Sequence, residues 1–107
     1  MDVGWPGAAA GEHGARGGAA LPRIQQRAAP AYPARARRAG REGRSEIALR
    51  IGRDGRVVAT RLHRSAGDPS LDEAALAAVR RWRFVPSPPG VDWSATWFLV
   101  PIEFRLE

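Results

Sequence analysis

Within the run HRSAGD, His63, Ser65 and Asp68 fall inside six residues, and those residue types share a proton in nucleophilic hydrolysis. A strand, a turn and a helix around them would make the run similar to a nucleophile elbow, which needs G-x-S-x-G. His63 stands where the first glycine should be, and a base must face its nucleophile across space. The run therefore reads as a Ser-Ala-Gly-Asp turn closing a strand. Metal chemistry has no better footing, because there is no cysteine and only two histidines, His13 and His63, too few and too isolated for a ligand set. No glycine-rich phosphate loop follows a strand. The expectation is a protein that is not an enzyme, with no catalytic residue, no metal and no cofactor.

Arginine offers a second kind of chemistry. In AALAAVRRWRFVP, Ala74 to Pro86, three arginines crowd a helix end beside Trp82 and Phe84. Nucleic-acid binding would need aromatics interleaved with the cations on one face. Trp82 instead continues the stripe of Leu71, Ala75 and Val79 at i, i+4, i+8 and i+11, which points it into a core. Cations in the last turn complement the helix dipole. No nucleic-acid partner is expected. Net charge is +6, with every basic residue an arginine. Residues 1–44 hold eight arginines against Asp2, Glu12 and Glu42, whereas residues 45–107 hold nine against eight acids. The excess thus belongs to the N-terminal part. Arginine without lysine, beside abundant Ala, Gly and Pro, is what GC-rich coding yields by default, ahead of a selected polyanion-binding tail.

The elements that would position any site follow from periodicity. Residues 1–30 are rich in Ala, Gly, Pro and Arg with no periodic apolar pattern, so they read as a disordered linker. They lack an apolar h-region, and no stretch of the chain approaches a membrane span. Residues 31–107 form the expected domain. Pro33 suits the first turn of a short helix that Gly40 or Gly43 ends. SEIALRIGRDGRVVATRLHRS reads as a hairpin: Ile47, Leu49 and Ile51 alternate with Glu46, Ala48 and Arg50, Asp54-Gly55 turns, and Val58, Thr60 and Leu62 return. Val57 breaks the alternation, so a bulge is expected there. Ser70 and Glu73 fit a capping box opening the second helix.

In ATWFLVPIEFRL, Phe98, Val100, Ile102, Phe104 and Leu106 share one face of a last strand. Pro101 cannot donate to a ladder, which argues for an edge position. The fold class is a small α+β two-layer sandwich, a three-stranded antiparallel sheet with two helices on one face, in the order α-β-β-α-β. Its core should join Ile47, Leu49, Ile51, Leu62, Leu71, Val79, Trp82, Phe98, Ile102 and Phe104.

AYPARARRAGREG, a strand, DGRV, a strand ending SAG, a helix ending AVRRWRFVP and a final VPIEFRL together resemble the C-terminal domain of TonB-family energy transducers. The similarity runs from about Tyr32 to Leu106. It implies a periplasmic domain on a Pro-rich arm, normally tethered by an inner-membrane helix not present in this sequence. That helix would reach a proton-channel motor complex. The domain would bind TonB-dependent outer-membrane receptors by adding their N-terminal box peptide as a strand, coupling proton motive force to uptake of iron chelates or cobalamin. The implied partner-binding residues are the edge strand, Trp97, Phe98, Leu99, Val100, Ile102 and Glu103, and the start of the domain, Tyr32 and Pro33. Ser45 departs from the pattern, since the family usually has an apolar residue there. The alternative is a stand-alone adaptor domain of the cell envelope on the same fold, which leaves a homodimer open.

Overall fold

Alternation builds the sheet. The computed structural model describes residues 21–107. Strand β2, Gly43–Ile51, is central, with β3, Val57–Arg64, on one side and β5, Phe98–Phe104, on the other, all antiparallel. Ser45, Ile47, Leu49 and Ile51 point to the face that also receives Phe98, Val100, Ile102 and Phe104. Against that face pack helix α1, Ala34–Arg38, through Ala36, and helix α2, Pro69–Arg80, through Leu71, Ala75 and Val79. This is the expected two-layer α+β sandwich.

Each helix end has an identifiable cause. Gly40 takes φ +68° after α1, and the N–H groups of Gly40 and Arg41 donate to the carbonyls of Arg37 (3.0 Å) and Ala36 (2.9 Å). That is a Schellman closure, which favours glycine because only it enters the left-handed region without strain. Helix α2 opens differently from the expected Ser70–Glu73 capping box. Asp68 is its cap, accepting from the Ser70 N–H at 2.8 Å, with Pro69 in the first turn. Asp68 wins because Pro69, preset to helical φ and lacking an N–H, fixes the helix start two residues earlier.

Two further strands lie outside the expected order. Strand β1, Ile24–Gln26, pairs antiparallel with β4, Arg83–Phe84. The expected disordered segment 1–30 therefore divides: residues 1–20 lie outside the described residues, and in 21–30 the chain is paired and packed. Buried Trp82 donates its indole N–H to the Ala28 carbonyl at 3.0 Å, and the Val85 N–H donates to the Arg23 carbonyl at 2.8 Å. Both bonds join chain positions more than fifty residues apart, so no local period announces them.

Nine of the ten expected core residues are buried, and Leu62 is the exception at 37% exposed. It pairs with Ile47 on the helix-facing side of the sheet but sits on outermost β3, where its neighbours leave it partly open to solvent. The β3 irregularity occurs at the expected place: the register slips between Arg50 and Ile51, so Val57 packs on the core while Val58 stays exposed. The hairpin turn is wider than Asp54-Gly55 alone. The Gly52 N–H donates to the Arg56 carbonyl, and the Gly55 N–H to the Gly52 carbonyl. Gly55 has φ +88°, and a Cβ there would lie 1.9 Å from the Phe84 carbonyl oxygen. Its own carbonyl accepts from the Phe84 N–H at 2.8 Å, so this glycine docks the hairpin turn onto β4.

Candidate functional site

The two outer strands of the sheet differ in what they offer. Strand β5 pairs with β2 without a break, from Gly43 opposite Phe104 to Leu49 opposite Phe98. Its other edge has no strand partner among the described residues. Pro101 lacks an N–H, and within an edge strand it is tolerated where that group would face away from the sheet. Leu99 and Glu103, two residues to either side, share its parity and direct their N–H groups to the free edge. Strand β3 is also an edge, but it carries two register breaks, at Glu46/Ile47 and Arg50/Ile51. Bulges and charges of this kind discourage strand pairing, and Arg61, His63 and Arg64 are all exposed on β3.

The expected binding residues therefore have unequal roles. Phe98, Val100 and Ile102 are buried in the core, so they could meet a partner only through their backbone. Leu99, Pro101 and Glu103 lie half-buried on the opposite face. Trp97 caps that face: the Arg50 guanidinium lies 4.8 Å and that of Arg61 4.4 Å from its ring centre. Cation–π packing of this geometry holds the indole flat over β2 and β3. Tyr32 and Pro33 are remote from Trp97 in sequence but join β5 at its other end. Tyr32 meets Phe104 edge-to-face at 5.4 Å, its hydroxyl donates to the Arg41 carbonyl, and Arg37 lies 4.8 Å from its ring centre. Pro33 caps α1.

Periodicity alone missed two contributors. A cavity of about 190 Å³ separates β5 from the N-terminal segment, lined by Arg27–Pro30, Trp82 and Pro101–Glu103. The segment thus walls one side of the edge. The second is Asp72, 7% exposed. It accepts from the Ser45 hydroxyl (2.8 Å), the Ala66 N–H (2.8 Å) and the Ser65 hydroxyl, tying β2 to the turn between β3 and α2. Burial alone would raise its pKa, but the Ala66 N–H and the two hydroxyls outweigh that and hold the carboxyl below its ordinary value, against Asp68's opposing charge. Ser45, fully buried, is the signal that could have revealed the hub: a serine where an apolar residue is expected needs a buried partner.

The elbow residues are dispersed among structural roles. Ser65 is bonded to Asp72 and to the Gly67 N–H, Asp68 caps α2, and His63 is exposed at a β3 bulge. Among the described residues no group of three or more His, Asp or Glu could hold a metal ion. Nor is any helix among them long and apolar enough to cross a membrane.

The fold is a small α+β sandwich in which β5 keeps a regular edge with no second strand partner among the described residues. Residues 28–106 match the family model for the Gram-negative bacterial TonB protein C-terminal, and the chain belongs to that family. It is 40% identical over 78 residues to Protein tonB2 of Pseudomonas aeruginosa, covering 73% of this chain and 29% of that protein. Against Protein TonB of Vibrio cholerae the identity is 33% over 78 residues, covering 73% and 32%. The fold matches the solution NMR structure of the Pseudomonas aeruginosa TonB C-terminal domain, with TM-score 0.65 and 25% identity over 80% of this chain and 87% of that one. The chain spans about a third of the length of these curated relatives.

Proposed function

We propose that this domain works in the periplasm as the receptor-binding end of a TonB-type energy transducer. It captures an extended N-terminal segment of an outer-membrane receptor as a fourth strand on β5. The observation that carries this reading is the unbroken β5 register with an open outer edge, set against the twice-bulged β3. Strand addition needs only main-chain donors and acceptors in register, which fits buried Phe98, Val100 and Ile102. Trp97, Leu99 and Glu103 then flank the added strand on the outer face, and Tyr32 and Pro33 fix the start of the domain beside its far end. Force from a proton-driven inner-membrane complex would arrive through an N-terminal tether, and the cargo class would be iron chelates or cobalamin. Residues 21–30 belong to the folded unit on this reading, and the arm proper lies before them.

Main-chain hydrogen bonds contribute only about 0.5–1.5 kcal/mol each, so the isolated domain should bind weakly and accept many sequences. The test is the affinity of receptor N-terminal peptides, measured on the whole chain. A proline placed where the peptide must donate should weaken binding at least about tenfold, more than any alanine in the peptide. Equal tolerance of proline, or no binding by any receptor peptide, would remove this reading in favour of a self-associating adaptor.

A further inference from the structure

An open, regular edge invites a second copy of the same strand as readily as a foreign one. Strand β5 runs from Phe98 to Phe104, and Pro101 is its middle residue. Leu99, Pro101 and Glu103 share the parity that faces the free edge. All three present a carbonyl there, but only Leu99 and Glu103 present an N–H. The gap in the row of donors therefore lies at the centre of the edge.

That position matters because identical strands pair antiparallel about a two-fold axis, and each defect then counts twice. The register that overlaps the whole of β5 sets the axis at Pro101. Leu99 of each copy then exchanges hydrogen bonds with Glu103 of the other, while Pro101 stands opposite Pro101 and exchanges none. Two bonds are lost, and two pyrrolidine rings meet where the donors should be. Moving the axis to Val100 or Ile102 sets each Pro101 against a Leu99 or a Glu103. The ladder shortens, and two bonds are still missing. A foreign strand of ordinary residues loses one bond, the one Pro101 cannot donate. Strand β3 has no proline and is interrupted instead by its two register breaks, so the two edges resist self-pairing by different means.

We propose that Pro101 is a specificity-determining residue of the β5 edge. It bars pairing with a second copy of this chain at a smaller cost to capture of a foreign strand. The discrimination rests on the reading of β5 as the capturing edge, whereas the bar to self-pairing does not.

The test is Pro101→Ala, which restores the N–H with a small side chain, alongside Pro101→Val, which restores it with a good strand former. Sedimentation equilibrium on the full chain should find the native protein monomeric up to about 1 mM. Both variants should dimerise at least about tenfold more tightly than the native chain, and should bind receptor N-terminal peptides no more than about threefold more tightly. Amide exchange in the variant dimers should slow at Leu99 and Glu103. Melting curves report folding separately, and the native measurement stands whether or not a variant folds. A native dimer that protects Leu99 and Glu103, variants as monomeric as the native chain, a variant dimer that protects Val57–Arg64 instead, or an equal gain for peptide and second copy would each overturn the proposal. Peptides bound by the native chain while both variants stay monomeric would remove the bar and keep strand capture. Variant dimers through β5 with no peptide bound by any chain would keep the bar and remove strand capture.

Discussion

Strands β3 and β5 flank the same central strand, yet they are built to opposite ends. Strand β5 runs in unbroken register, with its large side chains buried and Pro101 where a missing N–H does no harm. Strand β3 slips register twice, leaves Val58 56% exposed and lines its outer part with Arg61, His63 and Arg64. A sheet with two open edges risks uncontrolled pairing. Here one edge is spoiled by bulges and charge, and the other is kept regular. On the proposed reading, the defects on β3 leave β5 as the edge available for strand capture. Each edge also has its own anchor: the Trp82–Ala28 bond holds the segment that walls β5, and the Asp72 hub fastens the end of β3 to β2.

The comparison is broken most completely by proline. Leu99→Pro should remove an outward N–H from β5 and abolish peptide capture, a loss of at least about tenfold. His63→Pro, at a β3 bulge, should leave capture unchanged. Titration calorimetry on both variants, with melting curves to verify folding, checks the pair.

Next in size are the anchors. Trp82→Ala removes a buried indole and the bond that fixes Ala28, and should destabilise the domain by about 3–5 kcal/mol in denaturant unfolding. Asp72→Ala strands the fully buried Ser45 hydroxyl and the Ala66 N–H, each costing about 1–3 kcal/mol. Its effect should appear as faster amide exchange around Ser65–Gly67, with β5 amides slower to follow.

Smaller still is the cost of removing residues 1–30 rather than 1–20. Losing β1 deprives Trp82 of its acceptor and should lower stability by about 1–3 kcal/mol relative to the shorter deletion. Equal melting points for the two truncations would show that the segment beside β5 contributes nothing.

The smallest effect is with pH. Asp72 has its folded-state pKa below the ordinary value of 3.8. Its contribution is therefore complete above that value and is lost as pH falls through the lower folded pKa. Stability of the native chain should decline below about pH 4, and Asp72→Asn should flatten that part of the decline in acid unfolding curves.

How far the sequence revealed this arrangement depended on whether the signal was periodic. The stripe Leu71, Ala75, Val79, Trp82 and the alternation around Pro101 placed α2 and β5, because each repeats every turn or every second residue. The bulge near Val57 was legible as a broken alternation. Strands β1 and β4 were not, since Ile24–Gln26 is too short to show a period and its partner lies some sixty residues away. Leu62 was misjudged because alternation tells which face a side chain takes, not whether anything covers it. Asp72 carries no periodic signal, and only its distance to Ser45 shows it as a buried hub. Of the candidate site, the edge position of the last strand was readable from Pro101, Trp97 entered only through the resemblance, and the wall formed by Arg27–Pro30 required the fold.

The central claim is that β5, not β3, is the edge that takes a strand. Amide hydrogen exchange of the labelled full chain, with and without a saturating receptor N-terminal peptide, tests it directly. The account predicts new protection at the Leu99 and Glu103 amides and no change across Val57–Arg64. Protection gained on Val57–Arg64, or saturation without any change at Leu99 and Glu103, would contradict it.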